Sequence, residues 1–283
     1  MNHKELLLQT IGLKLVLLLL AACATSGPTP TPTSIPSTST SLPPTPTTVP
    51  TEEKAEWDLV VFSDSSAWGV ADIYATYIEN DLGVTVKVHD LVMGRLSAST
   101  VLAALRGEDS LYSTSLDVTD LIREAEIVVF YANPLGSVSE VNPGDWDCVS
   151  PRPYVNDCSP ETFDAYRADL DAIYEQIFAL RGDSPMIVRA FDAYNPLYSV
   201  WREHGVYNEC MRCWENYSET IHQAAAAHNV PIAHVYDAFN GSNHDEDPRE
   251  KGYIGYDGIH TSDQGKQVIA DLLRDLGYEP VAP

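Results

Sequence analysis

Val60-Val61-Phe62-Ser63-Asp64-Ser65-Ser66-Ala67-Trp68-Gly69 is the stretch that decides the fold. An apolar run stops at small polar residues, and Val70 to Leu82 follows with Ile73, Tyr77, Ile78 and Leu82 at helical spacing before Gly83. Trp57 to Phe62 reads as a strand buried on both faces. An α/β domain presents functional residues in this way, at the carboxyl end of a strand and beside the next helix's N-terminus.

Working outward, the alternation continues. Val84 to Val88 predicts a second strand, followed by a loop through Asp90 and Gly94. Ser99 to Leu105 predicts a helix capped by Ser97 or Ser99. Ile127 to Tyr131 predicts a third strand ending at Asn133-Pro134, and 134–160 a long Pro- and Gly-containing loop. Glu161 to Leu180 is amphipathic, with Phe163, Tyr166, Leu170, Ile173, Ile177 and Leu180 on one side. Met186 to Phe191 predicts a fourth strand, 192–216 an irregular segment or inserted lid, and Tyr217 to His228 a helix. Pro231 to Tyr236 predicts a fifth strand, and Ser262 to Leu276 the closing helix. Short apolar strands alternating with helices predict a three-layer α/β/α sandwich on a five-stranded, flavodoxin-like parallel sheet. The first strand is not followed by a glycine-rich phosphate loop, which argues against nucleotide binding.

The first residues carry a different signal. Lys4 and Lys14 flank the start of an apolar run, Leu13 to Leu20 broken only by Lys14, which is too short to span a bilayer and ends in Leu20-Ala21-Ala22-Cys23. That ending resembles the bacterial lipobox, which implies a signal peptide over 1–22 and lipidation of Cys23. Residues 23–54 are rich in Pro, Thr and Ser and read as a disordered tether. Residues 55–283 make one domain. The expected location is extracytoplasmic, at the cell envelope, with the membrane reached through the lipid on Cys23.

The chain has a formal net charge of −24. Residues 1–50 hold only Lys4, Lys14 and Glu5, so the remainder carries about −25. Such a surface disfavours nucleic acid and other polyanions and favours neutral or cationic substrates. Beyond Cys23 stand Cys148, Cys158, Cys210 and Cys213, an even set that in an exported domain suggests disulfides. Three pairings are open, the local one (Cys148 with Cys158, Cys210 with Cys213) being the most economical. Zinc at Cys210 and Cys213 lacks a second close ligand pair in the sequence. The acidic run Asn243 to Asp247 reads as a solvated loop in preference to a calcium site, and no metal or cofactor is expected.

The chemistry sits at the strand ends. A serine hydroxyl needs a base to remove its proton, and histidine suits that task near neutral pH. The imidazole needs an acidic partner to fix its tautomer. Asp257-Gly258-Ile259-His260 offers both, three residues apart. Oxyanion donors are available in the backbone N–H of Ser65, that of Gly94, and the Asn133 amide, each at a different strand end. Ser63 and Ser66 are the alternative hydroxyls.

Ser63-Asp64-Ser65, Gly94, Asn133 and Asp257-Gly258-Ile259-His260, followed by Thr261-Ser262-Asp263-Gln264-Gly265, together resemble the SGNH (GDSL-type) hydrolases. The resemblance spans residues 57 to 278. It implies the SGNH-hydrolase form of the sandwich, with Ser65 as nucleophile, His260 as base and Asp257 as its orienter. Ser65, Gly94 and Asn133 would form the oxyanion hole. Two positions depart from the family pattern. Ser63 replaces a glycine and adds a side chain where a tight turn is expected, and Tyr131-Ala132-Asn133-Pro134 lacks the glycine and aspartate of Gly-x-Asn-Asp.

The resulting expectation is a secreted, lipid-anchored serine esterase, monomeric, acting on a small-molecule or carbohydrate ester, O-acetyl groups among them. The alternatives are acyl transfer by the same residues, or a non-catalytic carbohydrate-binding or scaffold domain that keeps the fold. Trp68, Tyr131, Trp201 and Trp214 offer either sugar stacking or packing.

Overall fold

A computed structural model describes residues 56–94, 96–108, 117–133 and 160–281. The sheet consists of β1 (Glu56–Ser63), β2 (Thr85–Val92), β3 (Ile127–Phe130), β4 (Ile187–Phe191) and β5 (Ile232–Ala233). The strands are all parallel, in the order β2-β1-β3-β4-β5. Leu59 to Ser63, all of β3 and all of β4 are buried. This is why those segments read as near-continuous apolar runs, interrupted only by Ser63 and Arg189, and not as alternating ones.

Eight helices are described: α1 (Val70–Leu82), α2 (Ala98–Leu105), α3 (Val118–Glu124), α4 (Pro160–Arg181), α5 (Tyr198–Glu203), α6 (Tyr207–Ala227), α7 (Val235–Asn240) and α8 (Asp263–Asp275). The chain leaves β1 in one direction to reach β2, then crosses back to β3. Right-handed crossovers therefore place the two sets of helices on opposite faces. Helix α1 packs on α8, whereas α4 packs on α2, α3 and α6. The β1/β3 border is the switch point, and its carboxyl end opens the crevice where open α/β sheets carry ligands.

Several expectations shift. The segment 192–216 is not an irregular lid: α5 and the first half of α6 occupy it, and Trp201, Cys210, Met211 and Tyr236 form a small buried cluster there. The fifth strand shortens to two residues because Asp192 Oδ1 accepts the Tyr236 N–H at 2.8 Å and the chain turns into α7. Helix α3, with its amphipathic signal compressed into seven residues, was not expected. Strand β2 runs on to Val92, its exposed positions hiding the pattern.

Cys210 and Cys213 lie one turn apart on α6, both buried. Cys23, Cys148 and Cys158, with Pro134, fall outside the described residues. No helix among the described residues is long and apolar enough to cross a membrane.

Candidate active site

Ser65 opens a short 3-10 turn, Ser65–Ala67, directly after β1. Asp64 caps that turn by accepting the Ser66 N–H on Oδ1 at 2.8 Å, satisfying a donor the turn leaves open. Its other oxygen, Oδ2, accepts Asn133 Nδ2 at 3.1 Å. One carboxylate thus joins the residue after β1 to Asn133, three residues past β3, across the switch point.

The histidine arrives on a loop built for it. Gly255 N–H donates to the His260 carbonyl at 2.7 Å, Ile254 bridges Thr261, and Ser262 N–H donates to the Tyr253 carbonyl at 2.9 Å. Gly258 sits at φ +76°, a left-handed turn that a side chain would strain. Asp257 Oδ1 accepts the N–H groups of Ile259 and His260, each at 3.0 Å. Thr261 Oγ1 donates to the Ser66 carbonyl at 3.2 Å, and Tyr194 OH to the Ile259 carbonyl at 2.9 Å. The late loop is thereby tied to the early turn.

Within that frame His260 Nε2 lies 3.0 Å from Ser65 Oγ, and His260 Nδ1 lies 2.6 Å from Asp257 Oδ2. An ionised carboxylate only accepts, so Nδ1 carries the proton and Nε2 is the acceptor facing the serine. Burial acts to raise the Asp257 carboxyl, but the two backbone N–H bonds and the imidazole outweigh it. The net direction is down, below the ordinary carboxylate range. Trp68 stacks on the imidazole, centroids 4.8 Å apart, and is itself 46% exposed.

The other two hydroxyls are elsewhere. Ser63 Oγ and Ser66 Oγ are buried without a hydrogen-bond partner among the described residues. Ser63 is the last residue of β1, paired with Val92, and its carbonyl accepts the Met93 N–H at 2.9 Å. The expected tight turn at Ser63 is therefore extended strand, which accepts any side chain, and the departure from glycine falls where glycine's freedom is not required.

Gly94 follows Met93 in the exposed loop after β2. Beyond it, Asn133 N–H donates to the Leu96 carbonyl and Ala98 N–H to the Asn133 carbonyl, both at 3.1 Å. The loops after β2 and β3 are zipped together beside the Ser65 turn. Ser65, Asn133 and the loop of Asp257 and His260 therefore meet at the β1/β3 border, and Gly94 follows β2 at the same end of the sheet.

Other sequence candidates resolve as packing. Trp201 and Tyr131 are buried, Trp214 Nε1 donates to the Ala193 carbonyl at 3.1 Å, and Tyr131 OH bonds Tyr217 OH at 2.5 Å. In the acidic loop, His244 sits between Glu215 and Asp237 at 2.8 Å from each, and Lys251 pairs with Glu246. The Asp64–Asn133 bond and the Trp68–His260 stack were missed. Both are pairings across long sequence separations, with no local pattern to signal them.

No family model and no curated protein matches the sequence. The described architecture does match solved structures. A lipase, Lip_vut3 from goat rumen metagenome, superposes with a TM-score of 0.57 at 18% identity, covering 79% of this chain and 98% of its own. A DUF4886-family protein from Bacteroides uniformis gives 0.51 at 12% identity, covering 81% of this chain and 87% of its own. The fold shared with these structures is a five-stranded all-parallel sheet flanked by helices. A parallel sheet with this strand order holds Ser65, Asn133 and the His260 loop at one crevice. What that crevice can do is abstract a proton from a hydroxyl beside several N–H donors.

Proposed function

We propose that this chain is a serine esterase that cleaves carboxylic esters through an acyl-enzyme on Ser65. The observation that carries the reading is the relay Ser65 Oγ, His260 Nε2, His260 Nδ1, Asp257 Oδ2, with steps of 3.0 and 2.6 Å. Ser65 Oγ attacks the ester carbonyl as its proton passes to His260 Nε2, and Asp257 stabilises the imidazolium. The oxyanion is met by the N–H groups of Ser65 and Gly94 and by the Asn133 amide, oriented by Asp64. His260 then protonates the departing alkoxide. Water, deprotonated by the same nitrogen, releases the acid and restores Ser65.

Two further parts of the proposal concern setting and substrate. The chain is exported and anchored through a lipid on Cys23, and 23–54 holds the domain away from the membrane. The substrate is a neutral ester, with O-acetylated carbohydrate favoured. The net charge of −24 opposes polyanions, and the exposed Trp68 ring beside His260 offers a flat apolar face.

A fluorophosphonate probe tests the core of the proposal. Labelling of the folded wild type, lost in Ser65→Ala, is the expected result; an unlabelled wild type overturns it. Radiolabelled palmitate incorporation, lost in Cys23→Ala, tests the anchor. Acetate release from a panel of acetylated sugars and chain-length-graded esters tests the substrate.

A further inference from the structure

A second group of chemically capable side chains lies at the same end of the sheet but past β4 and β5. Asp192 follows β4, His222 lies on α6, and His234 precedes α7. Asp192 is almost wholly buried and is held from several sides. Its Oδ1 accepts the Tyr236 N–H at 2.8 Å, while Oδ2 faces His222 Nε2 at 2.7 Å and Ser218 Oγ at 3.4 Å. His234 approaches the His222 ring edge to face, centroids 4.9 Å apart and planes at 76°. The ester chemistry proposed above uses none of these groups.

We propose that Asp192, His222 and His234 form a binding site for one divalent transition-metal ion of the zinc type. One ligand atom from each, two imidazole nitrogens and one carboxylate oxygen, lies within 4.8 Å of the others. A point common to all three is then at most about 2.8 Å from each, against zinc bonds of about 2.0–2.2 Å. Closure needs less than an ångström per ligand, and His234, exposed at the start of α7, can supply it by turning. Two imidazoles with one carboxylate suit zinc-like ions in preference to calcium or magnesium, which select oxygen.

The surroundings favour a cation. Asp192, Glu219 and Asp237 all act on His222 electrostatically, and the one ion pair of Asp192 among the described residues is with His222. Hydrogen bonding between Asp192 and His222 accounts for that pair alone. It gives no reason for a second imidazole, from another element, to converge on the same carboxylate. With three protein ligands a fourth position is left for water. A cavity of about 350 Å³, lined by Glu215, Asn216, Ser218, Glu219, His222 and His244, opens beside His222. The ion would join β4, α6 and the β5–α7 junction, clamping the sheet's far edge.

The test is calorimetric titration of the chelator-dialysed full-length protein with Zn²⁺ alone. One saturable site per chain is expected, weakened about tenfold or more in both His222→Ala and His234→Ala. Binding should release protons and raise the melting temperature of wild type only. Circular dichroism checks that the variants are folded. Should His222→Ala fail to fold, the exposed His234→Ala decides the matter. No saturable zinc binding, or binding unchanged in the folded variants, overturns the proposal.

Discussion

Asn133 Nδ2 donates to Asp64 Oδ2 at 3.1 Å, so the residue beside the proposed nucleophile holds the residue proposed to meet the oxyanion. Asp64→Ala removes that orientation and the cap on the Ser65 turn together. We expect kcat on p-nitrophenyl acetate to fall about 10²–10³-fold, the scale of losing one oxyanion donor, with a small change in KM. Asn133→Ala should fall by a similar factor. The double variant should fall by much less than the product, because the two act as a unit.

Asp257 accepts two backbone N–H groups as well as the imidazole, so Asp257→Asn should keep the loop and lose the tautomer. A loss in kcat of about 10⁴-fold is expected by the logic of catalytic triads. The pH dependence follows from the depressed Asp257 carboxyl. A carboxyl lowered on folding contributes stability above its unfolded value, and loses it as pH falls through the folded value. Asp257 therefore stays ionised through the ordinary carboxylate range, and the acid limb of kcat/KM should show one protonation, not two. A limb of slope two in a pH–rate profile would contradict this.

Trp68 is exposed and stacks on His260. Trp68→Ala should leave the melting temperature nearly unchanged, since little buried surface is lost. Activity should drop by roughly two- to twelvefold, the equivalent of the 0.5–1.5 kcal/mol that an aromatic pair contributes. If the ring also supports the substrate, KM rises for aryl and sugar esters and not for acetate esters of small alcohols.

Gly265 lies in the first turn of α8, where an added Cβ would meet the Tyr253 carbonyl oxygen at 2.2 Å. That contact is with backbone, on the loop that carries His260. Gly265→Ala should destabilise the fold by about 1–3 kcal/mol, as overpacking does. Esterase activity should fall more steeply than folded fraction, because the loop is displaced. Urea denaturation beside activity at low denaturant separates the two effects.

Cys210 and Cys213 are proposed to form a local disulfide in the exported protein. Thiol titration under denaturing conditions, without reductant, should find neither free, and mass spectrometry should recover both in one linked peptide. Two free thiols at these positions would remove the proposal.

Much of this site is legible in the chain. Ser65, Asp257 and His260 announce themselves by type and order, and the structure brings them to 3.0 and 2.6 Å. The buried strands β1, β3 and β4 were legible because parallel strands covered on both faces read as near-continuous apolar runs, here with only Ser63 and Arg189 as buried polar positions. Strand β5 and the start of α6 were not. There a side-chain bond from Asp192 ends the strand early, and the helix carries polar residues such as Asn208 and Glu209 in its first turn. Asp64 gave no local sign of its tie to Asn133, and Asp192, His222 and His234 gave none of their convergence.

By itself the sequence determined the layer architecture, the strand ends that matter, and the serine cluster at 63–66 and the Asp257–His260 pair from which the proposed nucleophile and base are drawn. Apolar periodicity and residue chemistry are local properties, readable without coordinates. Only the tertiary structure decided which of Ser63, Ser65 and Ser66 faces His260, that Ser63 lies in strand, and that Trp68 covers the imidazole. Those are relations between segments far apart in the chain. They are set by sheet register and by how loops close on one another, which no single stretch encodes.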